Sequence, residues 1–135
     1  MMATRPLLRP LLCALALAPA MAMACDVGKA PTVPVIKSLP YVEARAALLA
    51  GGWHPLPGHP HNDLSANELA FRGDGFTELQ FCRLTADSIC RFAFSAPGGY
   101  VLWVSSTGDE NAALQTRATV RSATVACDGD PDPEK

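Results

Sequence analysis

The sequence predicts an α+β domain in which one main helix packs on a mostly antiparallel sheet of four to five strands, stapled by disulfides. Three observations carry this. "LPYVEARAALLAGGW" (from Leu39) has helical periodicity and a glycine stop. "FTELQF", "ICRFAFS", "YVLWVSS" and "ATVRSATVA" follow as short runs of β-branched and aromatic residues separated by turn signals. Beyond the first residues the chain carries four cysteines, an even number.

Residues 1–24 read as a secretory signal peptide. Arg5 and Arg9 supply a positive start, Leu11 to Ala18 an apolar core, and Ala22-Met23-Ala24 small residues at the cleavage positions. The apolar core is too short for a mature membrane span, and no second run is long enough. The expected mature chain therefore begins at Cys25, is exported to the periplasm or beyond, and has no membrane span. A cysteine directly after the cleavage site also allows a lipid anchor, although Ala22 stands where lipoprotein signals usually have leucine. Removing the leader takes Arg5 and Arg9 but no acidic residue, so the net charge moves from −2 for the full chain to −4. A mildly acidic chain without a basic cluster argues against nucleic acid as a partner.

The expected domain covers residues 25–127. Cys25, Cys82, Cys90 and Cys127 admit three pairings; proximity favours Cys82 with Cys90, which leaves Cys25 and Cys127 to join the two ends. "DVGKAPTVPVIK" reads as an extended lead-in. Pro40 suits a first helical turn. Tyr41, Ala44 and Leu48 make one apolar stripe, Glu43 sits where the helix dipole favours negative charge, and Gly51 or Gly52 supplies a left-handed cap. Trp53 opens a strand that Pro55 and Pro57 cut short. The loop from Gly58 to Asn67 ends at a capping box, Ser65 and Glu68, which predicts a short helix over 67–71. "RGDGF" turns the chain into the next strand. "APGG" and "TGDEN" separate the last three strands. Cys90, Phe92 and Phe94 share one face, with Arg91 on the other. "YVLWV" is apolar on both faces, which suits a central strand. Regular alternation through "FTELQF" puts Cys82 on the wrong face to meet Cys90, so a bulge or strand end is expected beside it. The acidic tail, residues 128–135, reads as disordered.

The stretch "EARAALLAGGW", within residues 39–57, resembles the helix-then-strand opening of PASTA domains, through Glu43, Ala44, Leu48, Gly52 and Trp53. Pro40 departs from the serine cap of that family, no tandem repeat is present, and the disulfide hairpin lies outside the pattern. The resemblance implies binding of cell-wall material outside the cytoplasm.

Candidate chemistry is sparse. His54, His59 and His61, with Asp63 nearby, form a loop that suits a metal ion. Asp128, Asp130 and Asp132 alternate as in calcium loops but lack the glycine and glutamate offsets. Glu68 and Glu78 are a conceivable carboxylate pair for hydrolysis. The catalytic motifs "GxSxG" and "HExxH" are absent, as is a phosphate loop. Trp53 and Trp103 are candidate partner-binding residues if they lie on an outer face. The expectation is a non-enzymatic envelope binding module without a cofactor, of inhibitor or immunity type within its range. It would engage a protein or peptidoglycan. The alternatives are a periplasmic metal-binding protein and a small hydrolase of unidentified site.

Overall fold

The computed structural model describes residues 25–59 and 61–134. The expected signal segment, 1–24, lies outside the described residues. Two helices pack on a five-stranded antiparallel sheet. The elements are α1 (Tyr41–Ala50), β1 (His54–Pro55), α2 (Ala66–Gly73), β2 (Leu79–Arg83), β3 (Ile89–Ala96), β4 (Tyr100–Thr107) and β5 (Thr119–Cys127), preceded by one 3-10 turn, Val27–Lys29. The sheet order is β1-β3-β4-β5, and β2 also pairs with β3. β1 and β2 thus divide β3 between them: β1 meets Phe94 and Ser95, β2 meets Ile89 to Phe92. β3 and β4 are central.

The opening helix ends as its sequence requires. Gly51 keeps an ordinary φ of −81°, and Gly52 takes the left-handed turn at φ 87°. The amide of Gly52 donates to the Leu49 carbonyl at 3.2 Å and that of Trp53 to the Leu48 carbonyl at 3.1 Å. This is the paired pattern of a Schellman motif. Leu48 and Trp53, the residues that such a motif brings together, both belong to the hydrophobic core.

The core lies between the helices and one sheet face. α1 contributes Tyr41, Ala44 and Leu48, α2 Phe71, and the sheet Leu79, Cys90, Phe92, Phe94, Leu102, Val104 and Val120. Tyr41 stacks on Phe92 with ring centroids 3.8 Å apart, and Phe71 meets Phe92 edge-on at 5.0 Å. The lead-in runs beside β5: Ser38 donates to Val120, Val120 donates to Leu39, and Tyr41 donates to Ala118.

The expected irregularity falls between Leu79 and Phe81, where the register slips around Gln80. Leu79 pairs with Phe92 and Cys82 with Cys90, so the slip returns Cys82 to the core side. The disulfides are Cys82–Cys90 and Cys25–Cys127, with Cα separations of 4.0 and 5.6 Å. The second engages the sulfur that a lipid anchor at Cys25 would need. Disulfides form and persist in oxidising environments. Among the described residues no helix is long and apolar enough to cross a membrane.

Two expectations change. The second helix is longer than 67–71 and packs on β2, making it a full partner of α1 in the helical layer. The tail, which its composition reads as disordered, folds back over the outer face of the sheet. There Asp132 pairs with Arg91, and Glu134 meets Ser105 and Ser122. Composition alone does not register an arginine waiting in β3.

Candidate functional site: a leucine-lined groove

A concavity lies between α2, the β2–β3 turn and the long β4–β5 loop, with a volume of about 680 Å³. Its floor is fixed by buried polar groups. Asn67, near the start of α2, donates to the Gly108 carbonyl at 3.3 Å and accepts from the Glu110 amide at 3.0 Å. Glu110 in turn accepts from the Ala118 amide and from Arg117, both at 2.9 Å. The β4–β5 loop is thereby tied at both ends.

Glu68 holds the other wall. It completes the capping box with Ser65 and accepts from the Cys82 amide at 3.0 Å, joining α2 to β2. Its oxygen also lies 2.9 Å from His61 Nε2. Burial pushes this carboxyl's pKa up, but the amides of Ser65 and Cys82 and the His61 ring outweigh it, and the net shift is downward.

On this rigid frame three leucines face solvent. Leu69 is 57 %, Leu84 85 % and Leu114 71 % exposed, and all three line the groove. Ser88 and Gln115, which sit in the turns beside Leu84 and Leu114, have left-handed φ values of 45° and 55°.

The residues singled out in the sequence fare differently. Trp53 is fully buried and cannot meet a partner; as the residue after the glycine cap it is drawn into the core, and its indole donates to the Thr32 carbonyl at 3.4 Å. Trp103 is on the outer sheet face, partly exposed, with the Arg91 guanidinium 5.7 Å from its ring centre. His54, His59, His61 and Asp63 are exposed side chains, and His61 is engaged by Glu68. Among the described residues no group of three His, Cys, Asp or Glu side chains is placed to hold a metal ion, so the structure does not assemble these four into a centre. Glu78 is fully buried, accepting from Tyr41 at 2.8 Å and from Arg45 at 2.6 Å. Burial and the neighbouring Glu78 carboxylate push the Tyr41 phenol's pKa far above its ordinary value. Glu68 and Glu78 therefore serve the fold.

The groove was missed in the sequence because Leu84 and Leu114 each stand alone in a polar loop, "RLTADS" and "ENAALQT". An isolated leucine flanked by polar residues is the signal that points to it. No protein-family model, curated protein or solved structure matches this chain significantly.

Proposed function

We propose that this chain is an exported, non-enzymatic binding module that engages a protein of the cell envelope through the groove. The observation that supports this reading is the set of three exposed leucines, Leu69, Leu84 and Leu114, around one concavity on a disulfide-stapled frame. Exposed apolar side chains grouped around a cleft mark interaction surfaces. The groove offers aliphatic side chains to an apolar segment. A wall glycan, which the PASTA-like resemblance would imply, is better met by an aromatic platform, and among the described residues that line the groove none is aromatic. Inhibitor and immunity proteins fall within this class.

The test is capture from the envelope after in-cell crosslinking, with the tagged native chain beside a variant carrying Leu69→Ser, Leu84→Ser and Leu114→Ser. The native chain is expected to retain one protein that the triple variant loses by at least tenfold. Capture of wall fragments, or of the same protein by both chains, would overturn the reading.

A further inference from the structure

The outer face of the sheet carries a second constellation, independent of the groove, with which it shares only Arg83. Arg91 points away from the core by strand alternation, yet it is 2 % exposed because the tail lies on it. Its Nε donates to both oxygens of Asp132 at 3.0 and 3.1 Å, and its Nη2 meets the same carboxylate. Glu134 accepts from Ser122 at 2.6 Å and from Ser105 at 3.1 Å, while Arg83 donates to its backbone carbonyl at 3.2 Å. A register slip at Ser105–Ser106 leaves Arg121 unpaired in β5, and Arg121 lines the same recess as Glu134. The Ser122 hydroxyl, the Arg91 charge, the Ser105 hydroxyl and the Arg121 charge hold the Glu134 carboxyl below its ordinary pKa range, against its partial burial.

One buried guanidinium, Arg91, and two hydroxyls, Ser105 and Ser122, meet two carboxylates, with Arg83 on the adjoining main-chain carbonyl and Arg121 lining the recess; this makes an acid-recognition site, since the guanidinium fork matches a carboxylate in shape and charge. The tail fills it incompletely. Arg91 Nη1 is ion-paired with Glu134 at 3.4 Å but makes no hydrogen bond, and among the described residues the buried indole nitrogen of Trp103 has no hydrogen-bond partner. Donors left over beside a bound acid are those a better-fitting occupant would use.

We propose that the outer sheet face, centred on Arg91, Ser105 and Ser122, is a binding site for an acidic peptide with paired carboxylates, and that residues 132–134 of this chain are its exchangeable resident occupant. An acidic segment of a partner binds by displacing the tail, so occupancy from within the chain sets the threshold for binding from without.

The test uses the full chain with Asp132→Asn and Glu134→Gln, titrated calorimetrically with a synthetic peptide of residues 128–135. Saturable binding is expected, at least tenfold tighter than to the native chain, whose own tail competes. A peptide with Asn and Gln at the two acidic positions should not bind. Absence of saturable binding by the folded variant, equal binding by the native chain, or equal binding of the neutral peptide would overturn the proposal. Glu134→Gln alone retains the Arg91–Asp132 pair and carries the same comparison should the double variant fail to fold.

Discussion

At the scale of single residues, Glu68 does the most for the frame. It caps α2, satisfies the Cys82 amide and meets His61. Replacing it by Ala removes the reciprocal cap and leaves a partly buried amide without an acceptor, a loss of about 2–3 kcal/mol. Because its pKa is depressed in the fold, the native state binds fewer protons there than the unfolded chain. Its contribution is full above the unfolded carboxyl's pKa, about 4.3, and disappears as pH falls through the lower folded value. Thermal melts from pH 7 down to pH 3 should show a steeper acid loss in the native chain than in the Glu68→Ala variant. Parallel curves would contradict this. Gly58 is a second fixed point: a Cβ there would lie inside contact distance of the Leu79 carbonyl. Gly58→Ala should destabilise by more than 1 kcal/mol in denaturant titration, the scale of local overpacking.

At the scale of elements, the glycine pair after α1 separates two roles. Gly52 has φ 87° and open space around its missing Cβ, whereas Gly51 is at −81° with ordinary contacts. Gly52→Ala should therefore cost about 1 kcal/mol through backbone strain alone, and Gly51→Ala should be near neutral; urea unfolding of the two variants reads the difference. Much of this level was legible in the sequence. The apolar stripe of α1, its glycine stop, the Ser65–Glu68 cap, the strand alternation and the bulge needed to bring Cys82 to Cys90 are local patterns, and local patterns survive into the fold. Which way Trp53 faces was open in the sequence, because its burial depends on where the Schellman turn delivers it, which is a tertiary fact. The groove and the Arg91 site were not legible for the same reason: Leu69, Leu84 and Leu114 lie on three separate segments, and Arg91 meets Asp132 across 41 residues.

At the scale of the whole molecule, the Cys25–Cys127 bridge closes the domain across a sequence separation of 102. In the chain-entropy picture a loop of this length contributes about 4–5 kcal/mol. The paired variant Cys25→Ala with Cys127→Ala should unfold at lower denaturant by a comparable free energy, while Cys82 and Cys90, separated by 8 residues, contribute less. The frame so closed holds two surfaces of opposite chemistry, an aliphatic groove and a basic recess covered by an acidic strap. The central claim, that the groove is where a partner docks, is tested most directly by a photo-crosslinking side chain placed at Leu84 and, separately, at Val35, which is 93 % exposed outside the groove. Irradiated cells exporting each chain should yield one discrete protein adduct from position 84 and none from position 35. No adduct at 84, or the same adduct from both positions, would contradict the claim.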